Sequence, residues 1–395
     1  MAGSSIRIGR IFGIPIRIHI SFLIILPVFV WAFSMSSETI LGLELGFGAL
    51  ESSDETRYLL ATAAVLIFFA TIVAHELAHS YVAMRHGVKI RSITLMIFGG
   101  VAAMEEIPKK PREEMAMALA GPLTSLAIGL GAYGARYALG YMEGDPLTQA
   151  GLSAMLGIIS FYNILLAGFN LLPALPMDGG RVLRSILAMR MDHISATRKA
   201  AKVSRMLAIS MAIFGIFYWN FFLIFIALFV YMGAKEEEES TAVSDSLEGV
   251  TVGQLMNRNL NTVPPTLSVR DLMNLMFTTG QRGFPVVDPR VVGIVTVVEA
   301  QKVPVDVAGV TMVMDIMKRD FATAGPETEA AVALRLMAER RTGLLIVVNA
   351  ADMILGVVTA KDILKMAEVM ATRRRGGAFG GPWPPQPPIP PTASS

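Results

Sequence analysis

Residues 58–84 form an apolar run long enough to cross a bilayer, and within it the stretch TIVAHELAHS (71–80) places His75, Glu76 and His79. A hydrocarbon core takes roughly 20 residues of helix, and ionisable side chains inside one are costly unless they are paired or bind something. Comparable runs lie at 20–35, 115–139, 152–172 and 206–232. With 53% hydrophobic and 17% charged residues, the chain is too apolar for an ordinary soluble protein. The net charge of +2 gives no basic surface suited to a nucleic-acid partner, so none is expected. The chain has no cysteine, so a metal site must be built from histidine and carboxylate.

Loop charges predict orientation, because Lys and Arg are retained on the cytoplasmic side. Arg7, Arg10 and Arg17 precede the first run, and Glu38, Glu44, Glu51, Asp54 and Glu55 follow it, so the N-terminus is expected to be cytoplasmic. No small-residue cleavage site follows the basic start, and no removable signal is expected. The second run ends at Arg85, Lys89 and Arg91, and the third runs from Lys109, Lys110 and Arg112 to Glu143 and Asp145, in agreement. The short segment 178–192 carries Arg181, Arg184 and Arg190, and more basic residues follow it at 198–205. By charge it stays cytoplasmic; a single crossing by 206–232 then puts the C-terminal half outside, unless the short segment also crosses.

After Met232 the acidic run Glu236–Glu239 and the polar residues to Ser246 read as a solvated linker. An internal repeat follows: VGQLMNRNLNTV (252–263) aligns with VMDIMKRDFATA (313–324), and VVGIVTVVEA (291–300) with ILGVVTAKDI (354–363). Each copy, of about sixty residues, alternates β-branched strands with helix. The tail 376–395 is too rich in proline to pack and reads as a disordered or polyproline II spacer.

His75 and His79 are four residues apart, so on a helix they share one face and can reach one ion, with Glu76 beside it as a base. The bland alternative, a pair of satisfied polar side chains between helices, is expensive in an apolar span. Zinc needs a further protein ligand. Glu105 and Glu106 are conceivable, but MEEIPKKPREE reads as a charged loop, and Asp178 is the better candidate. It lies in FNLLPALPMDGG, where Pro173 and Pro176 break the helix and Gly179 and Gly180 admit close backbone. His19 and His193 have no partner at ligand spacing and read as structural or interfacial.

HELAH (75–79), FGGVA (98–102), AGP (120–122), NLLPALPMDGGR (170–181) and GRIFGIPIRIHISFL (9–23) occur together and in order. In these the chain resembles the site-2 protease family of intramembrane zinc metalloproteases, in its branch with C-terminal cystathionine-β-synthase (CBS) repeats. The resemblance covers essentially everything up to Met232. It implies His75, His79 and Asp178 as ligands of one catalytic Zn2+, Glu76 as general base, and Asn170 as a polar group near the reacting carbonyl. Ser125 departs from the family, which often has Asn there. The family's membrane-embedded hairpin implies that extended backbone at 91–104, around Gly99 and Gly100, holds an unwound substrate by strand addition; a plain tight turn is the simpler alternative. The CBS pair implies ATP or AMP between its halves. Gly356, Thr359 and Asp362 fit its phosphate and ribose pattern, whereas the first repeat has Gly293 and Thr296 but Glu299 in place of Asp, so one competent site is expected. Dimerisation through the pair, giving a homo-oligomer, is the alternative role.

The expected architecture is a multi-span α-helical membrane domain (1–233) of about six transmembrane helices with a membrane-associated β-hairpin. A linker (234–249), tandem CBS domains of soluble α/β type (250–370, repeats about 250–302 and 311–368) and a basic then Pro-rich tail (371–395) follow. The family resemblance implies that the segment after Asp178 crosses, keeping both the N-terminus and the repeats cytoplasmic. The expected function is intramembrane proteolysis of transmembrane proteins, with nucleotide gating. The rivals are a CBS-regulated metal transporter or channel and an inactive homologue that binds membrane helices.

Overall fold

The structure, a computed structural model, describes residues 5–96, 99–104, 110–258, 261–340 and 342–376. The chain divides into two compact units, 1–239 and 240–395. Glu105, Glu106 and the Pro-rich tail lie outside the described residues.

The first unit opens with β1 (Ser5–Ile11), β2 (Ile14–His19) and α1 (Ile20–Met35), followed by a two-stranded ribbon of β3 (Thr39–Ile40) and β4 (Leu43–Glu44). Then come α2 (Asp54–Arg85), β5 (Ile90–Met96), β6 (Gly99–Met104), α3 (Pro111–Leu139) and α4 (Pro146–Asn170). Next come α5 (Asp178–Ala188), α6 (His193–Phe217) and α7 (Phe221–Ser246), the unit ending within α7 at Glu239. Helix starts follow local chemistry: Ser53, Asp145 and Asp192 accept from the backbone N–H groups of Thr56, Thr148 and Ser195 and cap α2, α4 and α6. His19 is likewise structural, its Nδ1 capping α1 through Ser21.

Among the described residues four helices, α2, α3, α4 and α6, are long and apolar enough to cross a membrane; α1 is apolar and shorter. Their outward faces carry exposed Leu, Ile and Phe such as Leu66, Leu130, Leu165 and Phe214, as lipid-facing surface requires. Inside, Phe22, Phe29, Phe33, Phe68 and Phe69 interlock α1 with α2, the Phe22 and Phe69 rings meeting at 4.4 Å between centroids. Such packing, rather than exclusion of water, holds helices together in lipid.

The strands form a sheet in the order β1-β2-β5-β6. β2 pairs parallel with β5 and β5 antiparallel with β6, leaving β6 as an edge. Ile14, Ile16 and Ile93 seat this sheet on Val73, Leu77 and Met84 of α2, next to the histidine pair.

The run 206–232, expected as one span, is broken. α6 ends at Phe217, Trp219 turns with φ of +52°, and the Asn220 side chain accepts from Leu223 N–H at 3.0 Å to start α7. α6 and α7 then run antiparallel: Ala208 and Val230 share a core, and Arg205 Nη1 donates to Glu238 Oε2 at 2.8 Å at the base of the pair. The segment after Asp178, expected to cross, is the 11-residue helix α5, about 16 Å long and too short for a hydrocarbon core. The residues expected as a solvated linker continue α7 to Ser246, with Glu237 and Glu238 ion-paired to Arg184 and Arg205.

In the second unit the first repeat contains α8 (Val252–Leu255), α9 (Val269–Thr279), β7 (Gly283–Asp288), β8 (Arg290–Thr296) and α10 (Val297–Ala300). The second contains α11 (Val313–Ile316), β9 (Ala322–Ala324), α12 (Ala330–Glu339), β10 (Leu344–Val348), β11 (Ile354–Thr359) and α13 (Ala360–Gly376). Each repeat forms its own small sheet, β7-β8 in the first and β11-β10-β9 in the second, and single backbone bridges join the copies: Asn257 to Val357 on β11, and Lys318 to Ile294 on β8.

Candidate metal centre

α2 carries His75, Glu76 and His79 on consecutive turns of one face. The Nε2 atoms of the histidines lie 3.1 Å apart, and Asp178 Oδ2 lies 3.4 Å from that of His75 and 3.1 Å from that of His79. Among the described residues these form the cluster of His and carboxylate groups able to hold a metal ion. The side chains are 5%, 8% and 12% exposed.

The orientation of each of these side chains has a cause. His79 Nδ1 is 2.7 Å from the carbonyl oxygen of Met117, which can only accept, so this nitrogen carries the proton and Nε2 is left with its lone pair. His75 Nδ1 is 2.9 Å from the hydroxyl of Ser125, itself fully buried. Met117 and Ser125 both belong to α3, and between them lies Gly121. A β-carbon there would sit 2.1 Å from His79 Nε2 and 2.6 Å from His75 Nε2. Two buried histidines with Nδ1 engaged and Nε2 facing a carboxylate across a space cleared by glycine fit a zinc ion.

Asp178 is the first residue of α5. The turn before it, with Pro173 and a cis Leu175–Pro176 bond, folds so tightly that a β-carbon on Gly179 would meet the carbonyl oxygens of Leu171 and Leu172 at 2.3 Å. Only glycine lets this helix begin where Asp178 reaches the histidines.

Glu76 is half-buried, and its side chain lies against the edge strand: a β-carbon on Gly100 would be 2.5 Å from Glu76 Cγ. Gly99 pairs with Met96 at the hairpin end of the same strand. Asn170 is the last residue of α4, and its Nδ2 donates to Leu166 of its own helix at 3.0 Å; no described contact joins it to the ligands. His193 lies apart from the cluster, 3.7 Å from Glu114. Ser125, noted from the sequence only as a departure from the family, thus meets His75, one helical turn on from Gly121; the Met117 carbonyl is a contact that sequence reasoning missed, because a backbone carbonyl leaves no signal.

In the second unit the Thr359 hydroxyl donates to Asp362 Oδ2 at 2.5 Å, and Asp362 N–H donates back to Thr359 Oγ1 at 3.2 Å, with Asp362 exposed. The equivalent Thr296 also hydrogen-bonds Glu299, but Glu299 is buried and its other oxygen takes Lys318 Nζ at 2.9 Å. Burial pushes the Glu299 carboxyl up, and the bonds from Thr296 and Lys318 outweigh it, holding the group below the usual glutamate range.

A helix-borne histidine pair with an intervening glutamate, completed by an aspartate from a second helix inside an apolar bundle, defines a metallopeptidase set in the membrane. The Peptidase family M50 profile matches residues 63–141 and 137–214, and the CBS domain profile matches 252–303 and 313–368. A zinc metalloprotease of Methanocaldococcus jannaschii is 32% identical over 368 residues, covering 93% of this chain and 97% of its own length. A solved site-2 protease from the same organism is 36% identical, covering 59% of this chain and 95% of that one, with a TM-score of 0.40. The chain belongs to the site-2 protease family, and it is a zinc metalloprotease with a C-terminal CBS pair.

Proposed function

We propose that this protein hydrolyses peptide bonds in or near the transmembrane segments of other membrane proteins, with His75, His79 and Asp178 holding the zinc ion. The convergence of the two Nε2 atoms with Asp178 Oδ2, beside Glu76, carries this reading. Zinc bound there supplies a Lewis acid and lowers the pKa of a water molecule. Glu76 takes a proton from the attacking water and passes it to the leaving nitrogen. The Asn170 amide nitrogen has two hydrogens, of which the bond to Leu166 uses one, and the other serves the carbonyl oxygen as charge develops on it.

A helical substrate hides its carbonyls in its own hydrogen bonds and has to unwind before attack. The free edge of β6, with Gly100 against Glu76, offers the unwound segment backbone partners. The α6–α7 hairpin supports a cytoplasmic location for both the N-terminus and the repeats. The basic residues 198–205 and the acidic residues 236–239 lie at one end of this pair and the Tyr218–Asn220 turn at the other, so the chain leaves on the side it entered. In the CBS pair, Thr359 and Asp362 form the adenine-nucleotide site that gates the protease, whereas Lys318 already occupies the acid beside Thr296. Pairing of these modules between chains is the alternative role.

The test is cleavage of tagged single-span proteins by purified enzyme in detergent, comparing wild type with Glu76→Gln and measuring zinc in both. Cleavage by wild type only, with zinc retained in the variant, is expected. Zinc absent from folded wild type would overturn the mechanism.

A further inference from the structure

Arg184, at 1% exposure, heads the largest fully buried side chains among the described residues. It lies on α5, six residues after Asp178, about 9 Å along the helix. Its Nε donates to Glu114 Oε1 at 2.7 Å and its Nη2 is 2.5 Å from the same oxygen, while Nη1 donates to Glu237 Oε1 at 2.7 Å. Glu114 is fully buried on α3, His193 Nε2 stands 3.7 Å from its other oxygen, and Glu237 lies on α7, three residues before the second unit begins.

Glu114 belongs to the part of α3 that builds the metal centre. Glu114, Met117 and Gly121 are spaced three and four apart and share one helical face. The first grips Arg184, the carbonyl of the second fixes His79, and the third clears the space in which the ligands meet. One face of one helix thus places both the histidines and the helix that delivers the aspartate. A buried ion pair of this kind is a weak source of stability, because desolvation offsets its attraction and apolar side chains replacing all of its members often do as well, whereas removing one member alone strands a buried charge. What an apolar side chain cannot do is fix the register of α5 against two carboxylates at once.

Resting on the assignment of His75, His79 and Asp178 as ligands, we propose that Arg184 is a positioning residue for the metal centre. It locks α5 to α3 and α7, sets Asp178 against the histidines, and makes metal affinity depend on Glu237.

The test is zinc affinity by chelator competition, alongside thermal unfolding, on the full-length protein in detergent. Arg184→Met leaves Glu114 buried without its partner and is expected to unfold earlier than wild type and, while folded, to bind zinc about tenfold or more weakly, the scale of loss for groups that orient ligands. Glu237→Gln is expected to lose a few-fold, and Arg184→Lys, which cannot span both carboxylates, to fall between. Wild-type zinc affinity in Arg184→Met overturns the proposal whatever its melting temperature; should that variant fail to fold, wild-type affinity in both Arg184→Lys and Glu237→Gln does so. Asp178→Asn separates this from the underlying assignment, since undiminished affinity there would sink the ligand set itself.

Discussion

His79 and Gly121 compete for one place: a β-carbon on Gly121 would stand 2.1 Å from His79 Nε2. Because α3 also fixes His79 through the Met117 carbonyl, neither helix can retreat without losing that bond. Gly121→Ala is therefore expected to give a folded protein with zinc bound at least about tenfold more weakly, as chelator competition will show. Wild-type affinity would mean that α3 is free to move away.

Ser125→Ala removes the hydroxyl that holds His75 Nδ1 in a fully buried setting. Zinc affinity is expected to fall about 10–100-fold, as for other partners that orient a metal-bound histidine, with little change in the rate per zinc-loaded molecule. A fall in that rate at full zinc occupancy would give Ser125 a role beyond orientation.

Because the chain has no cysteine, single cysteines report topology without background. With α6 and α7 as a hairpin, Ser195→Cys and Ser240→Cys are expected to react with an impermeant maleimide from the same face of sealed vesicles. Labelling from opposite faces would restore a single crossing by residues 206–232.

The depressed Glu299 carboxyl fixes the sign of a pH effect in the first repeat. A glutamate that ionises more readily folded than unfolded contributes stability above its unfolded pKa and loses it as pH falls through the lower folded value. The protection factors of the β7 and β8 amides against hydrogen exchange, taken relative to the intrinsic rate at each pH, are expected to fall on acidification from about pH 5 towards pH 3. Glu299→Gln should flatten that response; an unchanged pH profile would show that the Lys318 contact contributes nothing.

Asymmetry between the repeats predicts one nucleotide per chain. AMP or ATP is expected to raise the melting temperature of the second unit in wild type and in Thr296→Ala, and to lose that effect in Asp362→Ala. Equal loss in both variants would mean two working sites.

The convergence of His75, His79 and Asp178 was legible because helical geometry turns a four-residue spacing into one face, and because proline and glycine marked the turn that delivers Asp178. The hairpin at Trp219 was not legible, since 206–232 has the length of one span and its turn is made by a tryptophan at positive φ, with Asn220 the only polar clue. Arg184 and Glu237 were read as charges, one orienting a loop and the other solvating a linker; their meeting across α5 and α7 depends on tertiary packing that no local pattern encodes. The matching repeats revealed the module, but not the single backbone bridges that join one copy to the other.

The contact of Glu76 with Gly100 ties the proposed proton-transfer group to one position on an edge strand. Backbone pairing along such an edge repeats every two residues, and a slip of one residue turns every side chain to the opposite face. On the proposed pairing, a substrate segment held there is measured by counting from the point where its helix gives way, not by the identity of its side chains. Alternative products of one substrate then differ by steps of two residues, and changing where the substrate helix frays moves the cut more than changing the residues beside it.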